Sequence, residues 1–299
     1  MNKTAGGHIA AFITILIWGT TFISTKVLLQ AFQPIEILLL RFIMGYLVLW
    51  CFCPKRMVLK DRKQEYYFAA AGLCGVTLYY LLENVALTYT SASNVGVIIS
   101  LSPFFTALFS CVFLHSKRPG MRFFLGFSLA LTGIFLLSFN STADFQLNPL
   151  GDILAAAAAV VWAAYATLSK RIGEFGYPIV QTTRRIFFYG LIFMAPALLA
   201  VDFSAGLQRF TDLKNIGNLL FLGVGASALC FVTWNFAVKI LGPIKTSVYI
   251  YIVPVITVVT SAFILHEKMT AAGMIGIGLT LAGLFLSESK KQEKGYRGV

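Results

Sequence analysis

One acidic residue lies well inside a long apolar segment. Tyr79, Tyr80 and Glu83 share one face of a helix by the three- and four-residue spacing rule, so the carboxyl group has two aromatic neighbours. An ionised carboxylate at membrane depth is costly unless it is paired or hydrated. Glu83 is therefore a candidate for binding a ligand amine or for exchanging protons. The alternative is an ion pair with Lys26 or Arg41 that holds neighbouring helices together.

Two stripes of aromatic and hydroxyl side chains are similar to each other. Trp18 and Thr21 share a face of the first apolar segment, and Trp162 and Tyr165 share the matching face 144 residues later. A pocket for a small amphipathic ligand combines apolar walls with a few hydrogen-bonding groups. We favour a substrate cavity lined by both stripes, although membrane helices also use small polar residues for packing.

Further polar and aromatic residues fall within apolar segments. Asn84 and Asn235 can either bridge helices or bind a ligand. Trp234 takes the position of Glu83 at an offset of 151 residues, and Tyr249 is a candidate from a later segment. The predicted substrate-binding residues are Trp18, Thr21, Tyr79, Tyr80, Glu83, Asn84, Trp162, Tyr165, Trp234, Asn235 and Tyr249.

Two proline-containing segments repeat one another. Segments 83–117 and 234–268 align over four matched residues, each pair 151 positions apart. The pairs are Asn84 with Asn235, Pro103 with Pro254, His115 with His266, and Lys117 with Lys268. Proline removes a backbone hydrogen bond and crowds the preceding turn, so Pro103 and Pro254 predict helix kinks at equivalent depths.

The composition is that of an integral membrane protein. Apolar residues make up 58% of the 299 positions, charged residues 12%, and the mean hydropathy is +0.80. Ten segments approach or reach the length of about 20 residues that crosses a bilayer. They are 8–30, 35–53, 66–88, 93–114, 121–139, 151–173, 178–201, 215–239, 243–266 and 270–288. An open chain satisfies its backbone in lipid only as helix, so the predicted fold is all-α with ten transmembrane helices.

The cations indicate how these helices are oriented. One predicted side carries 17 Lys and Arg residues and the other three, which places both termini in the cytoplasm. Each half has an odd number of helices, so residues 1–144 and 145–299 are predicted to be inverted five-helix repeats in the cell membrane, inner or plasma. Four cations lie near span ends, from which long side chains can reach the headgroups. They are Lys26, Arg41, Lys170 and Arg185.

The duplicated five-helix unit, the segment ENVALTYTSAS, the proline-broken spans and the charged ends HSK and HEK resemble the EamA family of the drug/metabolite transporter superfamily. The resemblance covers nearly the whole chain. It implies ten helices in inverted repeats, a central cavity lined mainly by helices 1, 3, 4, 6, 8 and 9, and transport of small metabolites, often amino-acid export. One departure concerns a Glu that the family commonly has at the end of helix 4. Ser116 takes that place here, and Glu267 keeps it in the second half.

The resemblance and the motifs together define the predicted function. The sequence has no G-x-x-x-x-G-K-[ST] motif for ATP hydrolysis, so transport is secondary or facilitative. We predict a secondary transporter that exports small metabolites, amino acids among them, by alternating access, with Glu83 as the candidate proton-coupling acid. The alternative is an antiporter of phosphorylated or nucleotide-linked sugars.

Other function classes find little support in the sequence. An intramembrane enzyme needs two convergent acids, a His cluster or a nucleophile with its base, whereas Glu83 is the one acid deep in a predicted span. We therefore predict no enzyme, no cofactor and no metal. The net charge of +12 follows the loops of one side and does not indicate nucleic-acid binding. The predicted partners are a small-molecule substrate and the lipid bilayer, with the chain as a monomer or homodimer.

Overall fold

The computed structural model of the chain describes residues 3–90, 92–138, 148–198, 206–264 and 270–287. All regular elements in these ranges are helical, which confirms the predicted all-α class. The α-helices are α1 (Lys3–Leu28), α2 (Pro34–Phe52), α3 (Gln64–Tyr89), α4 (Ala92–Ile99), α5 (Ser102–Phe113), α6 (Met121–Ser138), α7 (Pro149–Glu174), α8 (Ile179–Leu198), α9 (Leu213–Leu241), α10 (Pro243–Val248), α11 (Ile252–Ile264) and α12 (Ala271–Ser287). Two 3₁₀ turns cover Leu207–Phe210 and Tyr249–Tyr251.

Six helical segments of the described chain are long and apolar enough to cross a membrane. They are Lys3–Leu28, Pro34–Phe52, Gln64–Tyr89, Val95–Phe113, Pro149–Glu174 and Leu213–Leu241. Shorter apolar segments cover Met121–Leu136, Pro243–Thr257 and Ala271–Ser287. The chain is therefore a multi-pass membrane protein, and the number of ten spans stays a prediction. The predicted boundary at residues 144 and 145, together with Glu267, lies outside the described residues.

The helix is interrupted just before each of the two prolines that predict kinks. Residues 100–101 separate α4 from α5, and Pro103 is the second residue of α5. The 3₁₀ turn Tyr249–Tyr251 separates α10 from α11, and Pro254 is the third residue of α11. Proline fits the first turn of a helix because the N–H groups there have no intrahelical acceptor. Each proline thus follows a break in its helix, 151 residues apart.

Two long helices contain π-helical stretches where they cross a neighbour. The stretches are Leu73–Leu78 in α3 and Phe221–Leu229 in α9. A Cβ added at Gly72 would lie 2.6 Å from the carbonyl oxygen of Ile186, so α3 and α8 touch through their backbones there. A Cβ added at Gly223 would lie 2.5 Å from the Met44 side chain and 3.3 Å from the carbonyl oxygen of Arg41, so α9 also lies close to α2, though with more space between the backbones. Gly72 and Gly223 are also 151 residues apart.

Glycines also join α6 to α12. A Cβ added at Gly133 would lie 2.5 Å from the backbone nitrogen of Thr280, and one added at Gly283 would lie 2.5 Å from that of Ala130. Such close approach of two backbones is how membrane helices gain van der Waals contact without a hydrophobic driving force. The glycine faces of these two helices therefore pack against each other.

Two ion pairs tie separate helices together at opposite ends of the bundle. Glu36, in the first turn of α2, accepts two hydrogen bonds from Arg209, at 2.7 and 2.9 Å, and is only 1% exposed. Glu65, in the first turn of α3, accepts two from Arg185 of α8, at 2.5 and 2.8 Å. Because α2 and α3 run in opposite directions, the two pairs lie near opposite ends. Removing one partner of the buried Glu36 pair would leave an uncompensated charge, whereas the Glu65 pair is part-exposed and solvent weakens it.

We predict that Gly72→Ala destabilises the protein, because the new methyl group meets backbone atoms of α8 that cannot move independently. The expected loss is about 1–3 kcal/mol of unfolding free energy, typical of overpacking. The measurement is thermal unfolding of the purified protein in detergent. Gly278→Ala is the matched control, since a Cβ at that position in α12 meets nothing within 4 Å. Equal melting temperatures for the two variants would contradict the close crossing of α3 and α8.

Candidate functional site

A narrow cavity lies within the helical bundle. Its volume of ≈ 30 Å³ holds about two water molecules and no metabolite. Its walls are Trp18, Thr21, Phe22, Tyr79, Tyr80, Glu83, Ile99, Trp162, Ile250 and Val253. These residues come from α1, α3, α4, α7, the second 3₁₀ turn and α11. In the described structure the central site is therefore too narrow to hold a metabolite.

Six of the eleven predicted substrate-binding residues line this cavity, and five do not. The six are Trp18, Thr21, Tyr79, Tyr80, Glu83 and Trp162. The sequence analysis missed the apolar wall residues Phe22, Ile99, Ile250 and Val253. Ile99 and Ile250 lie at the helix breaks that precede Pro103 and Pro254. The two prolines are therefore the sequence signal that indicates these wall residues.

Three tryptophans form a cluster beside the cavity, and two of them, Trp18 and Trp162, line it. The ring centroids of Trp18 lie 5.1 Å from Trp162 and 5.2 Å from Trp234, and Tyr79 lies 4.7 Å from Trp162. The indole nitrogen of Trp18 donates to the carbonyl oxygen of Ala226 at 2.9 Å. The indole nitrogens of Trp162 and Trp234 are buried and find no acceptor among the described residues. The cluster thus offers aromatic faces and two free N–H donors.

Glu83 is buried at the cavity wall with only 4% of its surface exposed. It belongs to none of the ion pairs within the described chain. The Tyr79 hydroxyl is its hydrogen-bonding neighbour, and Arg41 is the cation that acts on it electrostatically. Lys26, the other partner considered, is exposed at the end of α1. The carboxyl group therefore remains available to a ligand or a proton from the cavity.

Arg41 is buried inside the bundle and does not reach the headgroups. It is 1% exposed, and its Nε donates to the hydroxyl of Ser227 in α9 at 3.0 Å. Its guanidinium carbon lies 4.2 Å from the ring centroid of Tyr80. Its Nη2 has no hydrogen-bond partner in the described chain. The interpretation of Arg41 as a side chain that extends to the headgroups is wrong, because α9 covers it.

Asn235 joins three helices and does not line the cavity. Its Oδ1 accepts hydrogen bonds from the hydroxyls of Tyr165 and Ser169 in α7, both at 2.7 Å. Its Nδ2 donates to the hydroxyl of Thr183 in α8 at 3.0 Å. All four residues are buried. For Asn235 and Tyr165 the structure thus favours helix bridging over ligand binding.

The remaining predicted site residues lie near the cavity but outside its lining. Asn84 donates through Nδ2 to the carbonyl oxygen of Pro34 at 3.3 Å, which joins α3 to α2. The Tyr249 hydroxyl and Nδ1 of His8 are hydrogen-bonded at 2.7 Å, which joins the second 3₁₀ turn to α1. Tyr249 therefore fastens the segment whose next residue, Ile250, forms part of the cavity wall.

A larger concavity of ≈ 580 Å³ lies at the ends of α5, α7 and α9. The described residues that line it include one acid, Glu174, and five cations. The cations are Lys117, Arg118, Arg122, Lys170 and Lys245. This cationic vestibule can attract anionic groups. Within the described ranges, no three His, Cys, Asp or Glu side chains form a group that could hold a metal ion.

A bundle of membrane-spanning helices around a central cavity with a buried acid is typical of membrane transporters. The family model described as "EamA-like transporter family" matches residues 5–139 and again residues 149–288. The chain therefore belongs to the EamA-like transporter family.

Relatives match nearly the whole chain. A protein of Archaeoglobus fulgidus named an uncharacterized transporter is 28% identical over 290 residues, covering 96% of this chain and 98% of the relative. A probable terminal-alkyne amino-acid exporter of Streptantibioticus cattleyicolor is 23% identical over 280 residues, covering 93% and 91%. A solved crystal structure, 21% identical, superposes with a TM-score of 0.76 over 95% of this chain and 96% of the other, which shows a common fold.

We predict that Asn235→Ala lowers thermal stability, because it leaves the hydroxyls of Tyr165 and Ser169 buried without their acceptor. The expected loss is about 1–3 kcal/mol. Thr21→Val is the matched control, since the Thr21 hydroxyl bonds only to the carbonyl oxygen of Trp18 in its own helix. Unfolding of both variants in detergent is the measurement. An Asn235→Ala protein as stable as Thr21→Val would contradict the bridging role.

Proposed function

We propose that this chain is a secondary transporter that exports small amine-bearing metabolites, amino acids among them, by alternating access. The observation that carries the proposal is Glu83, a buried carboxyl group at a narrow central cavity and outside every described ion pair. A carboxylate binds an ammonium group, and the faces of Trp18 and Trp162 attract cations as well. The relative described as an amino-acid exporter supports the same class of substrate.

The proposed transporting architecture is ten helices in two inverted five-helix repeats, residues 1–144 and 145–299. The double match of the family model supports it, as do the helix breaks and the close-approach glycines that recur 151 residues apart. Inverted repeats allow the same site to open to either side by rocking one unit against the other. We propose a cell membrane location, inner or plasma, with both termini cytoplasmic, and a monomer or homodimer as the working unit.

In the proposed cycle Glu83 binds either the substrate amine or a proton, but not both. Coupling requires that the empty site return only with Glu83 protonated, because a return with the free carboxylate would let substrate leave without any proton movement. The carboxylate therefore releases its proton when substrate enters from the cytoplasm. It takes a proton again when substrate leaves outside. Outward substrate movement is thereby exchanged for inward proton movement.

The second candidate function is an antiporter of phosphorylated or nucleotide-linked sugars. The cationic vestibule favours it, because five cations against one acid would attract phosphate groups. The central cavity favours an amine instead, since its wall carries Glu83 and no cation. We therefore place the amine exporter first.

The experiment that separates these functions is transport by the purified chain in proteoliposomes. Labelled amino acids and sugar phosphates are offered with and without a pH gradient. The proposed function predicts that an amino acid accumulates when a pH gradient is applied and that sugar phosphates do not. Exchange of sugar phosphates without movement of any amine would establish the second candidate. Transport of neither class would contradict both.

We predict that Glu83→Gln abolishes proton coupling, because glutamine has nearly the same shape but no proton to exchange. The variant should still exchange substrate across the membrane, with weaker affinity for the amine, yet fail to accumulate it against a gradient. Accumulation in proteoliposomes under a pH difference is the measurement. Glu65→Gln is the control, since Glu65 lies at the bundle end in an ion pair with Arg185. A Glu83→Gln protein that accumulates substrate like the parent would disprove coupling through this residue.

A further inference from the structure

We infer that Arg41 is an anion subsite beside the central cavity, which binds the carboxylate of an α-amino acid while Glu83 binds the amine. The inference rests on the proposed function and narrows its substrate to zwitterions. The structural basis is a buried guanidinium group that lacks a carboxylate, separated from the cavity by one aromatic ring.

The Arg41 guanidinium has an unfilled donor position. Arg41 is 1% exposed, its Nε bonds to the neutral hydroxyl of Ser227, and its Nη2 has no partner in the described chain. Glu83 acts on Arg41 electrostatically but forms no ion pair with it, so the Nη2 donor stays buried without a partner. A buried donor without a partner costs free energy, and we expect another requirement to maintain it. An anionic ligand that fills the empty donor position would supply the missing partner.

Other arginines of the described chain bond to acceptors that the protein itself supplies. Buried Arg184 donates to the carbonyl oxygens of Cys53 and Lys55, whereas the part-exposed Arg185 and Arg209 hold carboxylates. Arg185, 144 residues after Arg41, holds the Glu65 carboxylate through two nitrogens. Arg209 holds Glu36 in the same two-pronged way, at 2.7 and 2.9 Å. Arg41 has aromatic rings and a hydroxyl in place of a carboxylate. This difference is what a subsite for an incoming carboxylate requires.

The Tyr80 ring lies between the Arg41 guanidinium and the cavity. The Arg41 guanidinium carbon lies 4.2 Å from the ring centroid of Tyr80, and Tyr80 itself is part of the cavity wall. The ring therefore shields the charge while the cavity is narrow, and the attraction between cation and ring stabilises this arrangement. Rotation of the Tyr80 side chain would expose the guanidinium to the cavity. The carboxylate would then replace the ring as the partner of Arg41.

Two opposite charges beside one cavity would select for zwitterions. Glu83 and the Arg41 subsite would hold the two charges of one zwitterion, and a guanidinium binds a carboxylate through two parallel hydrogen bonds. The rest of the wall is apolar or aromatic, including Phe22, Ile99 and Val253. The site therefore fits an α-amino acid with an apolar side chain. An amine without a carboxylate should bind more weakly, because the donor groups of Arg41 stay unfilled.

The test compares three ligands that differ only in their charged groups: L-phenylalanine, phenethylamine and 3-phenylpropionate. Binding to the purified full chain is measured by competition with labelled L-phenylalanine and by direct thermal stabilisation. Arg41→Met should weaken L-phenylalanine about 10- to 100-fold, the range of a lost charged hydrogen bond, and leave phenethylamine unchanged. Glu83→Gln should weaken phenethylamine and spare 3-phenylpropionate. Arg185→Met is the matched control and should leave the ratio of the three affinities unchanged.

The outcomes separate the inference from the proposed function. Equal weakening of L-phenylalanine and phenethylamine by Arg41→Met, or a parent that binds phenethylamine as tightly as L-phenylalanine, overturns the carboxylate subsite and leaves amine export standing. A parent that transports and binds no amine contradicts the proposed function itself. If Arg41→Met does not fold, Ser227→Ala replaces it, because it removes the anchor of Nε and keeps the charge. That variant should weaken L-phenylalanine more than phenethylamine, and equal weakening again overturns the subsite.

Discussion

The constraint behind this structure is that backbone N–H and C=O groups in a bilayer must find partners inside the protein. Regular helix satisfies them, so each departure from it has to be covered by other helices. The break at 100–101 and the turn Tyr249–Tyr251 adjoin Ile99 and Ile250 in the cavity wall. The π stretch Leu73–Leu78 ends directly before the two tyrosines of that wall. These stretches of irregular backbone therefore lie around the site, where neighbouring helices shield the backbone from lipid.

The close crossing of α2 and α9 explains why a cation is buried near that site. A Cβ at Gly223 would lie 3.3 Å from the carbonyl oxygen of Arg41, so the two backbones almost touch at this residue. Ser227 follows Gly223 by one helical turn and accepts the hydrogen bond from the Arg41 side chain. With α9 so near, the side chain has no route to the headgroups. The same crossing that stabilises the bundle thereby sets the charge beside Tyr80.

Local periodicity predicted the parts of the site that lie on single helices. Tyr79, Tyr80 and Glu83 share a helix face and do line one cavity, since that relation needs only the helical repeat. The burial of Arg41 and the bridging by Asn235 depend on which helix lies opposite, which no local pattern states. The apolar wall residues could not be predicted for the same reason, because apolar side chains that face lipid, another helix or the cavity have the same sequence pattern.

If Arg41 binds the substrate carboxylate, the charges of Glu83 and Arg41 determine how much net charge crosses the membrane in each step of the proposed cycle. With a zwitterion bound between Glu83 and Arg41, the loaded site carries no net charge when it turns outward. With a proton on Glu83 instead, the returning site carries the single positive charge of Arg41 inward. A membrane potential that is negative inside drives that return by about 2.3 kcal/mol per 100 mV. Under the proposed function, the unpaired guanidinium would thus link amino-acid export to the membrane potential as well as to the pH gradient, because the charge moves in the unloaded step.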